Sequence, residues 1–127
     1  MAAGQHNIII EEGNAFYIDF TWYKANGQTR DLTNATAIFY LKHKVEDENC
    51  FVKAEEGGAG AVTVIDELVD PGMIKVGIHA ALLEEIPFDY GYYQLDIVFD
   101  EEFDNPVRIC QGRVSVMKYG GCNNVSE

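Results

Sequence analysis

Basic side chains are scarce in this chain: nine lysines and arginines stand against 21 aspartates and glutamates, a formal net charge of −12 over 127 residues. That balance repels phosphate backbones and anionic lipid surfaces, which sets nucleic acid and membranes aside as expected partners. Cysteine is scarce too. Cys50, Cys110 and Cys122 are an odd number without a Cys-x-x-Cys spacing, so neither a disulfide framework nor a zinc site is expected, and a reducing compartment fits. Serine occurs only as Ser115 and Ser126, neither in a Gly-x-Ser-x-Gly elbow, which removes the usual hydrolase nucleophile. No apolar run approaches the roughly 20 residues that cross a bilayer as a helix. The N-terminus lacks a basic segment followed by an apolar run, so no secretory leader is expected. Asn34-Ala35-Thr36 and Asn124-Val125-Ser126 match the glycosylation sequon, a pattern short enough to arise by chance.

What the chain does have is apolar alternation. At 47% hydrophobic it can bury the core of one domain, expected over residues 1–119 with a short polar tail at 120–127. Strand-like segments recur at the spacing of an all-β sandwich, and about seven antiparallel strands are predicted. The first is His6 to Ile10, followed by a turn at 11–14 and a long strand from Phe16 to Tyr23. Asn26-Gly27 then carries a hairpin signal, because both residues tolerate positive φ. Strands follow at Thr36 to Lys44 and Cys50 to Ala54. Val62 to Ile65 and Met73 to His79 form a second predicted hairpin through Asp70-Pro71-Gly72. Residues 80–86 have helical composition for one or two turns, ended by Pro87. From Tyr92 to Phe99 the alternation is clean, with Tyr93, Leu95, Ile97 and Phe99 on one face and Tyr92, Gln94, Asp96 and Val98 on the other. In the last strand Val107 and Ile109 have opposite parity to Val114 and Val116, which predicts a β-bulge at Gln111-Gly112. One wall of the core is expected from Phe16, Ile18, Phe20 and Trp22, and part of the facing wall from Tyr93, Leu95, Ile97 and Phe99.

Candidate chemistry is thin. His6, His43 and His79 lie on separate predicted strands or strand ends without metal-ligand spacing, and Cys50 and Cys110 read as free thiols. The acidic segments read as solvated loops. Asp100-Glu101-Glu102-Phe103-Asp104-Asn105 clusters oxygen ligands of the kind calcium prefers, yet lacks the central glycine and terminal glutamate of an EF-hand. Gly57-Gly58-Ala59-Gly60 lacks the lysine of a phosphate-binding loop. No catalytic residue, cofactor or metal site is therefore predicted, and the chain is expected not to be an enzyme. The parity that puts Ala37, Phe39 and Leu41 inside puts Ile38 and Tyr40 outside, and the same argument exposes Tyr17 and Tyr23. Rigid aromatic rings on outward faces suit an interface, so Tyr17, Tyr23, Ile38 and Tyr40 are the candidate interface residues.

Taken in order, the segment Phe16-Tyr17-Ile18-Asp19-Phe20-Thr21-Trp22 with Gly27, the corner Asp31-Leu32-Thr33-Asn34-Ala35, the segment Gly91-Tyr92-Tyr93-Gln94-Leu95-Asp96 and the closing Gly112-Arg113-Val114-Ser115-Val116 resemble a small immunoglobulin-like β-sandwich found among virion proteins of tailed bacteriophages. The resemblance spans about Ile8 to Lys118, and Asn34 replaces the glycine more usual at the corner. It implies a non-enzymatic structural protein of the virion, a tail or baseplate component present in multiple copies of a symmetric assembly, with other virion proteins as partners and assembly in the host cytoplasm. Capsid decoration or a head fibre is one alternative, and a carbohydrate-binding or adhesin module is another. Tyr93 is expected to act as the corner tyrosine of immunoglobulin-like domains, its ring buried and its hydroxyl bonded to backbone.

Overall fold

The computed structural model describes residues 4–23, 27, 32, 35–56, 60–65, 72–99 and 107–118. Among these residues are nine strands and one 3-10 helix: β1 (Gly4–Gln5), β2 (Ile8–Glu11), β3 (Phe16–Thr21), β4 (Ala35–Lys42), β5 (Val52–Glu55), β6 (Ala61–Ile65), β7 (Met73–Ile78), the 3-10 turn (Ala80–Leu83), β8 (Tyr90–Phe99) and β9 (Val107–Met117). They form two sheets. The larger runs β1-β9-β8-β4-β5, with β2 also on β9, and the smaller runs β3-β7-β6. This is an immunoglobulin-like β-sandwich, in which one sheet carries the last two strands beside β4 and β5 with the N-terminal strands on its edge, and the other carries β3, β6 and β7. The arrangement is antiparallel apart from β1 and β2, which pair parallel to β9. The predicted strand at His6 to Ile10 is thus two short ones that share one edge.

The core lies between the sheets, as the alternation predicts. Phe39, Leu41, Leu95 and Ile97 are completely buried on the inner face of the larger sheet, and Ile74, Val76 and Ile78 face them from β7. Phe16, Ile18 and Phe20 of β3, and Trp22 just after it, pack against this core. Rings link the layers: Phe16 lies 6.5 Å from Phe39 and Phe20 lies 6.2 Å from Tyr93, centroid to centroid. Tyr93 and Phe39 stack at 5.5 Å within the larger sheet. Thr63 of β6 is buried and satisfies its hydroxyl by donating to the Ala37 carbonyl of β4, which ties the sheets together at one margin.

Two sequence expectations change. Asn26-Gly27 does not close a β-hairpin, because β3 pairs with β7 and β4 pairs with β5 and β8, so this connection crosses from one sheet to the other. Gly27 does hold a φ of 88°, and Ala25, Asn26 and Gln28 lie outside the described residues. The bulge in β9 is real but sits two residues earlier than predicted. Leu95 pairs with Cys110 and Asp96 with Arg108, so Ile109 is the extra residue and Cys110, Gly112, Val114 and Val116 all keep the inward parity. The hairpin of β6 and β7 forms as expected, with Gly72 at a φ of 85°. The helical segment is confined to the 3-10 turn, which His79 caps by accepting the Ala81 N–H on Nδ1 at 3.2 Å.

Gly112 has a different task from a bulge glycine. It stands inward beside Tyr93, and a Cβ there would collide with the His6 carbonyl and lie 3.0 Å from the Tyr93 ring. The bare backbone lets the His6 carbonyl turn in and accept the Tyr93 hydroxyl. The β1–β2 edge is interrupted at that point, and the Asn7 side chain replaces the missing ladder acceptor by taking the Arg113 N–H on Oδ1 at 3.1 Å. Tyr93 therefore behaves as a tyrosine with a buried ring and a backbone-bonded hydroxyl, but its partner comes from the far N-terminal edge. Its one proton goes to a carbonyl that can only accept, so the Cys110 thiol, 3.3 Å away, donates to the phenol oxygen.

Candidate functional site

The outer face of the larger sheet can be laid out from the strand register alone. One row across β5, β4, β8 and β9 reads Glu55, Ile38, Asp96, Arg108; the next reads Lys53, Tyr40, Gln94, Gln111; the third reads Lys42, Tyr92, Arg113 across β4, β8 and β9. Neighbouring strands lie about 4.8 Å apart, so side chains in one row touch or nearly touch.

Asp96 organises the centre of this face. It is buried, and its two carboxylate oxygens are engaged separately: Oδ2 accepts from Gln94 Nε2 at 3.2 Å and Oδ1 from Arg108 Nε at 3.4 Å. Arg108 continues to Gln111, with Nη1 donating to Oε1 at 3.4 Å. The chain Gln94, Asp96, Arg108, Gln111 fixes both glutamines by opposite ends. Gln94 is held by its NH2 group and presents its carbonyl; Gln111 is held by its carbonyl and presents its NH2 group.

Beside this network the face is concave. A groove of about 390 Å³ is lined by Gln5, Asn7, Lys42, Val45, Tyr92, Tyr93, Gln94, Arg108, Gln111, Gly112 and Arg113. Its size falls at the lower end of small-molecule sites, at roughly 300–1,000 Å³. Among the described residues, three basic side chains line it and no acidic one does. The local charge is thus opposite in sign to that of the whole chain.

No protein-family model matches the sequence, and no curated protein matches it. Among solved structures it is similar to a chain of one described as "Structural basis of T cell specificity and activation by the bacterial superantigen toxic shock syndrome toxin-1", at 13% identity and a TM-score of 0.48, covering 87% of this chain and 92% of that chain. A likeness of that degree bears on neither ligand nor partner.

The four candidate interface residues point outward but do not share a face. Ile38 and Tyr40 are half-buried on the larger sheet. Tyr17, 78% exposed, lies on the outside of β3 in the smaller sheet, and Tyr23, 56% exposed, follows with the same parity. The two pairs therefore belong to opposite layers of the sandwich. Tyr40 lies between two ammonium groups, Lys42 Nζ at 5.9 Å and Lys53 Nζ at 6.0 Å from its ring centroid. Partial burial raises its phenol pKa above the ordinary value, and Asp96, Cys50 and Glu55 add to the same shift.

The histidines serve structure where they are seen: His43 stacks on Phe88 at 4.9 Å, His79 caps the 3-10 turn, and His6 supplies the carbonyl for Tyr93. Among the described residues no group of three or more histidine, cysteine or carboxylate side chains is placed to hold a metal ion. Cys110 is buried and Cys50 half-buried, both as free thiols. The acidic segment 100–105, Gly57 to Ala59, Cys122 and the polar tail lie outside the described residues.

The groove is the part that sequence reasoning missed. Outward parity for Tyr92, Gln94 and Asp96 was legible, and the basic pair Arg108 and Arg113 stands out in an acidic chain. Bringing Lys42 and Gln5 to the same place needed the register of β4 on β8 and of β1 on β9.

Proposed function

We propose that this chain is a non-enzymatic structural module of a tailed-phage particle, a tail or baseplate component that docks a neighbouring subunit on the outer face of its larger sheet. The observation that carries this reading is the placement of Ile38 and Tyr40, two half-buried apolar side chains on the outer face of a sheet whose inner face is fully packed. A platform held rigid from behind loses little entropy on docking, and many weak copies of such a contact add up in a symmetric assembly. The order of sequence segments that resembles virion sandwiches supports the same reading. A position on the capsid would use the same face and be separated by imaging of the particle.

The test is incorporation of a double variant, Ile38→Lys with Tyr40→Glu, into particles. Ile38 is flanked by Glu55 and Asp96, and Tyr40 by Lys53, so each new charge meets an opposite one and the domain keeps its fold. Loss of incorporation with an unchanged melting temperature is expected, while Tyr17→Lys with Tyr23→Lys on the other layer incorporates normally. The reverse pattern overturns the reading.

A further inference from the structure

Arg108 is committed to Asp96 and Gln111, whereas Arg113 and Lys42, whose ammonium lies 5.9 Å from the Tyr40 ring, make no ion pair among the described residues. Both are register partners of Tyr92, one from each side, so their Cα atoms are about 10 Å apart with the tyrosine between them. Two uncompensated positive charges on either side of an aromatic ring, in a chain of net charge −12, form a site for an anion. The rest of the lining says what kind. Gln94 presents a fixed acceptor and its register partner Gln111 a fixed donor, because the opposite end of each amide is held by the Asp96 network. A sugar hydroxyl both donates and accepts, so adjacent hydroxyls of a pyranose ring match this pair. The Tyr92 ring offers a flat apolar surface to the C–H face of the same sugar. An extended peptide would instead need apolar pockets for alternate side chains and a free strand edge, and the lining has a single aliphatic residue, Val45.

We propose that this groove binds a carboxylated sugar, a uronate residue of a polysaccharide, with its carboxylate held by Arg113 and Lys42, its ring over Tyr92 and its hydroxyls on Gln94 and Gln111. The site adjoins the docking patch of the assembly reading, since Tyr40 is the register partner of Gln94 and its ring lies 5.9 Å from Lys42 Nζ, but uronate binding is read on the free chain and incorporation in particles, so either reading can fail without the other.

The test titrates the full chain with trimers of galacturonate, glucuronate and mannuronate, with their methyl esters, and with tetraglutamate, read by calorimetry and by backbone amide shifts. At least one uronate trimer binds, with shifts concentrated at Tyr92, Gln94 and Arg113. Its methyl ester binds about tenfold or more weakly, since a charge-assisted bond is lost. Arg113→Gln and Lys42→Gln each weaken the uronate by a similar factor while leaving the ester unaffected and the melting temperature unchanged. Absence of binding by all three uronates, equal binding of ester and acid, or equal or tighter binding of tetraglutamate overturns the proposal.

Discussion

On the inner side of the larger sheet, Phe39, Leu41, Leu95 and Ile97 are sealed from water, whereas the equivalent inward residues along β3 of the smaller sheet, Phe16, Ile18 and Phe20, with Trp22 just beyond it, stay half-buried. The sequences of the two segments alternate equally well. The difference comes from neighbours: β4 lies between β5 and β8, and β8 between β4 and β9, while β3 is at the end of its sheet with β7 on one side. A strand flanked on both sides receives side chains from three directions, and an end strand leaves one flank of its inner face to solvent. The outer surfaces differ in the same sense. The larger sheet carries a fixed polar network and a basic groove, and the smaller one presents exposed Tyr17 and Val64 around the register partners Asp19 and Lys75. The preorganised outer surface therefore resides in the larger sheet, and the less sealed part of the core lies along β3.

The comparison can be broken most directly by truncating one inward residue in each sheet. Leu41→Ala removes a side chain with 0% exposure and is expected to cost about 2–5 kcal/mol in urea unfolding. Ile18→Ala is expected to cost less than half as much, about 1–2 kcal/mol, because part of its surface already meets water. Equal losses would mean that the sheets share the core evenly. Gly112→Ala comes next: the added methyl meets the His6 carbonyl, so β1 must move away, at about 1–3 kcal/mol, with amide exchange raised at Gln5 and His6 first.

Tyr93→Phe is the smallest change, about 1 kcal/mol for a lost hydroxyl bond. It sharpens the comparison through pH. Burial, followed by the Cys110 hydrogen bond and the nearby thiol charge, pushes the Tyr93 phenol well above its ordinary 10.0. The unfolded chain releases this proton near pH 10 while the folded chain keeps it, so the contribution is full below that pH and declines above it. The wild-type chain is expected to lose stability more steeply than the Phe variant above pH 10, measured by urea midpoints across pH 8 to 11.

How far the sequence reaches is clear from β8. Its period of two placed Tyr93, Leu95 and Ile97 inside and Tyr92 and Gln94 outside, as found. Asp96 was assigned outward by the same rule and does face that way, yet it is buried beneath Gln94 and Arg108, which alternation cannot report. The parity switch in β9 announced a bulge without locating it, since Ile109 and Gly112 both satisfy the pattern and only pairing with Leu95 and Asp96 chooses between them. Asn26-Gly27 suggested a local hairpin because turn chemistry is local, while the sheet that a strand joins depends on distant partners.

The sequence by itself determined that this chain is an all-β sandwich, though with about seven strands expected where nine are described, which residues of most strands face the core, and where chain reversals are permitted. These follow from side-chain alternation and backbone preference, which act within a few residues. Only the tertiary structure decided which strands share a sheet, that the outward candidates divide between two layers, and that Lys42, Tyr92 and Arg113 stand in one row of an otherwise acidic molecule. Register between strands far apart in the chain sets those facts, and it is fixed by the packing of the whole core.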